Sequence, residues 1–264
     1  MLWESADILT SVVVGAREAA DLDRSRHHQG QRGVFLRGLL CGSAGPLSIR
    51  EHAAAFGLAG DRSYYAVRAR AANATQRDEL QTRLEASTRT YGCRPLLDLV
   101  DGDVAGIVPL KPTLSDPRFT IGIGGPLALE AMPRAFAAAS RMRDVATGFG
   151  FGGAHELGDL AIHVAVAAEP ELGALLVERY LLPVHHEGDY GAELEDTIRV
   201  HLEAGARINE TARRLQLHPN SVRHRLTRFE ELTGARLDGL TVQFEIWWAL
   251  AWLRHERRSA RSAE

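Results

Sequence analysis

Between Thr211 and Phe229 the chain carries five arginines and no acidic residue, although its formal net charge is -3. Positive charge gathered on one short module of a mildly acidic chain suits contact with a polyanion, and nucleic acid is the obvious one. The residue types add more than charge. Asn220 can make a bidentate contact to adenine and arginine one to guanine, whereas flanking Arg and Ser suit phosphate oxygens. The other reading of such a run is a solvated helical face, so the elements that hold these side chains must decide.

The segment from Ile208 to Leu226 reads as two short helices joined by a tight turn. Asn209 can cap the first, and Glu210 suits its positive end. Ala212 is small where two helices must cross closely, and Leu215 and Leu217 point to a core. Pro219 can begin a helix but not continue one, and Asn220 can cap or begin the second. At about 100° per residue, Val222, Leu226 and Phe229 share one side of that second helix. The opposite side carries Asn220, His224 and Thr227, with Arg223 and Arg228 at its edges. Arg225 lies nearer the core boundary, beside Ser221. The expectation is that Asn220, His224, Thr227 and Arg228 face bases. Arg213, Arg214, Ser221, Arg223 and Arg225 would serve phosphates or orientation, and His218 in the turn belongs to the same contact set.

Leu194-x-x-Thr197, Thr211-Ala212-x-x-Leu215, Leu217-His218-x-Asn220-Ser221-Val222-x-x-Arg225-Leu226 and Glu231-Leu232-Thr233-Gly234 closely resemble the C-terminal helix-turn-helix of PucR/CdaR-type bacterial transcriptional regulators. Ser221 stands where the family usually has Thr and keeps the hydroxyl. His224 stands where Tyr is frequent and alters the contact surface. The middle region is similar to the GGDEF-like domain that these regulators carry ahead of the helix-turn-helix, so the resemblance spans about residues 33–253. It implies a degenerate, noncatalytic middle domain. A working cyclase needs a Gly-Gly-acidic-acidic-Phe turn for metal and substrate, and the corresponding hairpin here is Asp101-Gly102-Asp103-Val104-Ala105. Its aspartates read as a hydrophilic turn rather than a cation site. The family often has a further sensor domain at the N-terminus; with room only for a helix before residue 33, the usual effector input is expected to be absent or relocated.

Other constellations are weaker. Gly148-x-Gly150-x-x-Gly153 fits a dinucleotide-binding pattern by letter, but a helix precedes it where a strand is required, so a flexible loop is the better reading. His27-His28 and His185-His186-Glu187 lack a third ligand at metal spacing and read as solvated linkers. Trp247, Trp248 and Trp252 on the last helix suit core or subunit packing better than a ligand box. Cys41 and Cys93 have no metal or redox spacing and read as small core-filling thiols. No cofactor, metal or catalytic group is expected.

The order of elements gives an α+β architecture: a ferredoxin-like, GGDEF-like domain, then an all-α helix-turn-helix domain, after an N-terminal helix. Leu2, Ala6, Leu9, Val13, Ala16 and Ala20 have the spacing of a coiled-coil seam, so residues 1–32 are a helix and joint that could dimerise. Residues 33–185 form the middle domain. In it helices are expected at Val34–Leu40, Leu47–Phe56, Thr75–Thr90 (capped by Thr75) and Ala128–Thr147. Strands are expected at Tyr64–Ala71, Leu96–Val100, Val104–Pro109 and Phe119–Ile123, a βαββαβ-like order with helices on one face of the sheet. Leu157–Ala168 is ambiguous, Pro170–Leu181 helical, and Pro183–Tyr190 a linker. Residues 190–258 form the DNA-binding domain, with further helices at Leu194–Ala204 and Val242–His255. No apolar run spans a bilayer and no signal peptide is evident, so a cytoplasmic chain with no membrane partner is expected. Lys111 is the only lysine beside many arginines, a bias of GC-rich bacterial genomes.

The function read from this is a sequence-specific, homodimeric transcriptional regulator acting on double-stranded DNA, with an unidentified small-molecule effector as a possible further partner. It is not read as an enzyme. The alternatives are a nucleotide-signalling enzyme or nucleotide sensor using the middle domain, and an adaptor whose helix-turn-helix no longer binds DNA.

Overall fold

The computed structural model describes residues 30–263. The N-terminal seam and His27-His28 lie outside them. The chain forms two compact units, residues 30–143 with 152–157, and residues 144–151 with 158–263. The helices that the sequence reading grouped with the sheet, from Leu157 to His185, therefore belong to the helical unit.

The first unit is built on a five-stranded sheet of order β2-β3-β1-β4-β5. Its strands are β1 (Tyr64–Arg70), β2 (Leu96–Val100), β3 (Asp103–Val108), β4 (Thr120–Leu127) and β5 (Gly153–His155). β1 pairs antiparallel with both β3 and β4, and β5 runs parallel to β4. The order of the first four is the ferredoxin-like one. The connections differ from the expected βαββαβ, because no helix joins β3 to β4 and the second long helix follows β4 instead. Helices also cover both faces rather than one. Helix α1 (residues 30–41), α2 (Pro46–Ala53) and α4 (Met132–Phe149) pack with Ala66, Leu96, Ala105 and Ile107. Helix α3 (Ala74–Thr88) packs its Leu80 and Leu84 with Val67, Val104 and Val108 on the other face. Period-2 alternation sends neighbours to opposite sides, and with both sides covered β3 is buried along its whole length.

Two glycines let α4 lie unusually close to β4. A Cβ on Gly122 would overlap the carbonyl oxygen of Ala139, and one on Gly124 that of Ala135. Strand β5 escaped the sequence reading because it is three residues long and begins in the glycine cluster. That cluster is not a flexible loop: it holds the end of α4, a turn and β5. In the helical unit, Gly148 and Gly150 leave room for the side chains of His255 and Arg258.

Local signals moved in other places. Asn73, not Thr75, caps α3, accepting from the Gln76 amide at 2.9 Å. Cys41 is exposed rather than core-filling, whereas Cys93 is buried with its thiol 3.6 Å from the Tyr64 hydroxyl. The Asp101-Gly102-Asp103 hairpin is a two-residue turn with positive φ at Asp101 and Gly102, as a tight hairpin requires. Asp103 is no solvated turn residue. It is buried, and its carboxylate accepts from Arg143 at 2.6 Å, Arg68 at 2.9 Å and Arg70 at 3.3 Å.

The second unit is all helical: α5 (Leu157–Ala168), α6 (Pro170–Tyr180), α7 (Leu182–His185), α8 (Asp189–Glu203), α9 (Ile208–Leu215), α10 (Pro219–Thr233) and α11 (Leu240–Ala263), with the end of α4. The expected linker at Pro183–Tyr190 is instead the short helix α7, a three-residue turn and the start of α8. Pro183 was the misleading signal, since proline is favoured in a first helical turn as well as in linkers. Helices α6 and α11 pack together, with Trp252 against Gly173. Trp248 is buried, and Trp247 stacks on Phe244 and meets His163 edge-on, so the aromatic run is packing. No single described helix is long and apolar enough to cross a membrane.

Candidate nucleic-acid interface

Helices α9 and α10 are joined by three residues, Gln216 to His218, with Gln216 left-handed at φ 56°. Helix α10 rests on α7, α8 and α9. Its seat is apolar: Val222, Leu226 and Phe229 are all buried, as the helical wheel required. Thr211 and Ala212 of α9 are buried too, and Leu215 and Leu217 are half-buried. The caps differ from the expected ones. Arg207 occupies the N-cap of α9 without a capping hydrogen bond from its side chain, which donates instead to the Ala204 carbonyl at 3.0 Å, and Asn209 falls inside the first turn. His218 caps α10, its Nδ1 accepting from the Asn220 amide at 3.2 Å.

A buried polar link fixes α8 to α9. The Thr211 hydroxyl donates to the Arg207 carbonyl at 2.9 Å, so it accepts from the Nδ1–H of His201 at 3.1 Å. Burial holds the His201 imidazole below its ordinary pKa, and the same desolvation lowers His163 and His255 in this unit. Each is favoured neutral in the fold, so the unfolded chain binds more protons between the lowered folded values and the ordinary value of about 6.5. The contribution of these three neutral histidines to the stability of the helical unit is therefore present above about pH 6.5 and is lost as pH drops below it. A denaturant midpoint for the tryptophan signal that is lower at about pH 5.5 than at about pH 8 is the expected result; an unchanged midpoint would contradict it.

Asn220, Ser221, Arg223, His224 and Thr227 form an exposed strip on α10, with Arg213 and Arg214 exposed on α9. Arg223 donates to Asn220 Oδ1 at 2.8 Å. The other arginines are held by carboxylates. Glu210 accepts from Arg213 at 2.7 Å and from Arg214 at 2.8 Å, and these two hydrogen bonds draw its own pKa down to about 2. Arg225 is half-buried and tied to Glu193 and to the Thr197 hydroxyl, both on α8. Arg228 donates to Glu187 and Glu231, each at 3.1 Å. The sequence reading missed these acidic partners. Glu210 was legible, since carboxylates three and four residues before an arginine pair along a helix. Glu187 and Glu193 are distant in sequence and left no local signal. His185 and Glu187, once weighed as metal ligands, are engaged by Glu195 and Arg228 respectively. Among the described residues no three His, Cys, Asp or Glu groups are placed to hold a metal ion.

Residues 194–252 match the PucR C-terminal helix-turn-helix domain, and residues 42–145 match the GGDEF-like domain. The chain is of the PucR/CdaR type. The two-helix module is thus the PucR DNA-binding helix-turn-helix, with α10 in the place of its second helix and α8 inside the matched domain from Leu194 on. Among solved structures, the regulator of polyketide synthase expression from Bifidobacterium adolescentis aligns at 14% identity over 84% of this chain and 96% of its own, with a TM-score of 0.31. Comparison with curated proteins gave no significant match.

Proposed function

We propose that this PucR/CdaR-type chain is a sequence-specific transcriptional regulator that binds double-stranded DNA as a homodimer. The observation that carries the reading is the division of α10, an apolar side seated on three helices and an opposite strip of Asn220, His224 and Thr227 open to a groove. A recognition helix needs this division, because bases are read by side chains that do not hold the helix in place. Asn220, His224 and Thr227 are assigned to bases; Arg213, Arg214, Ser221 and Arg223 to phosphates. Arg225 orients α10 through Glu193 and Thr197, and His218 fixes its first turn. Arg228 moves from base reader to orientation, since Glu187 and Glu231 hold it. One short helix reads few bases, so two-fold pairing on half-sites about one DNA turn apart supports the dimer.

Operator binding measured at two salt concentrations tests the assignment. Asn220→Ala is expected to lower operator affinity by about 1–3 kcal/mol while leaving nonspecific binding in place. Arg223→Ala is expected to weaken both and to reduce the slope of log affinity against log salt by about one. Unchanged binding in both variants would sink it. The nucleotide-enzyme alternative is disfavoured by Asp103. The hairpin carboxylate that metal and substrate would need is buried among three arginines. Turnover of GTP or a cyclic dinucleotide by the purified chain would revive that alternative.

A further inference from the structure

The sheet unit contains a cavity of about 650 Å3 lined by Arg32, Thr82, Glu85, Arg89, Arg94 and Pro95, with the backbone turn at Gly57 on one wall. It lies by the start of β2, which is the edge strand of the sheet. Its volume is within the range of small-molecule sites. Its charge is one-sided, three guanidinium groups against one carboxylate. Glu85 already accepts from Gln81 Nε2 at 3.1 Å, which holds that carboxylate on its own helix. Arg32 is positioned rather than loose: it donates through one terminal nitrogen to the Pro95 carbonyl at 3.0 Å. Its Nε is buried with no hydrogen-bond partner, so the side chain is held in place by its terminal nitrogens and its packing. Among the described residues no carboxylate lies within ion-pair distance of Arg32, Arg89 or Arg94, so none of the three is neutralised by the protein.

We infer that this cavity binds a metabolite-sized organic anion through a carboxylate or phosphate group. Arg32 is the preset donor at the inner end, and Arg89 and Arg94 close over the charge from the exposed side. Guanidinium forks match both oxyanions bidentately, and a fixed fork loses less entropy on binding than a mobile one. The lining residues belong to the sheet unit and none belongs to the helix-turn-helix, so failure of this site would leave the DNA reading untouched.

The test is a calorimetric titration of the full chain with inorganic phosphate and, separately, citrate, with ionic strength held constant by sodium chloride. A saturable rise in Tm of roughly 3–6 °C is expected at about ten times the dissociation constant for at least one probe. Which probe acts distinguishes phosphate from carboxylate recognition. The double variant Arg89→Gln, Arg94→Gln removes two exposed side chains and should abolish the rise. Arg77→Gln, near the other end of α3, should keep it. A rise that survives in the double variant would place the anion elsewhere and overturn the inference, as would no rise beyond that of sodium chloride.

Discussion

Asp103→Ala is expected to lower the unfolding free energy of the sheet unit by about 3–5 kcal/mol, the range for removing one partner of a buried ion cluster. The asymmetry of that cluster sets the magnitude. The Asp103 and Arg143 side chains are 4% and 5% exposed and that of Arg68 is 15% exposed, so water cannot replace the lost carboxylate around them. Arg70, at 49%, keeps its hydration. Removing Arg70 should therefore cost under about 1 kcal/mol, in the range of exposed pairs. Asp103→Asn keeps one acceptor but no charge, and should fall between the two. Hydrogen exchange of the β1, β3 and β4 amides in denaturant reads this unit directly. An Asp103→Ala loss no larger than that of Arg70→Ala would show that the carboxylate contributes as an ordinary surface group.

That cluster also marks where the sequence stopped being legible. Asp101-Gly102-Asp103 announced a hairpin, and the strands on either side began and ended almost where their alternation put them. The same letters gave no hint that Asp103 points inward, because Arg68 and Arg143 reach it from 35 and 40 residues away. Helix α10 shows the opposite case. The 3.6-residue period alone placed Val222, Leu226 and Phe229 in the core, and burial follows that stripe. The exposed strip of the candidate interface was legible for the same reason. Its acidic partners were not, except Glu210, because only neighbours within one helical turn announce themselves in a linear chain. Two caps were misassigned by a residue or two: Thr75 and Asn209 are competent by type, but backbone geometry chose Asn73 and Arg207, whereas Pro219 and Asn220 do begin α10, behind a His218 cap. Strand β5 depends on pairing with β4, a tertiary event that the three residues Gly153, Ala154 and His155 cannot signal.

Phe229→Ala should separate the seat of the recognition helix from its reading surface. Phe229 is 1% exposed on the side of α10 that packs on α7, α8 and α9. Truncating a buried phenylalanine costs about 3–5 kcal/mol through lost transfer energy and the cavity left behind. A domain holds only about 5–15 kcal/mol, so the variant should remain mostly folded at low temperature yet unfold at a much lower denaturant concentration. Trp248 is buried on α11 in the same unit, which makes tryptophan fluorescence the natural readout. DNA binding should fall with the folded fraction and recover on cooling or added osmolyte, because Asn220, His224 and Thr227 are intact. Asn220→Ala should show the converse: a normal midpoint and a lost operator preference that no stabilising condition restores. If Phe229→Ala leaves the midpoint unchanged, the packing argument for α10 fails. If its folded population binds operator no better than Asn220→Ala does, then base reading depends on the core side of α10 and the division of labour along that helix is wrong.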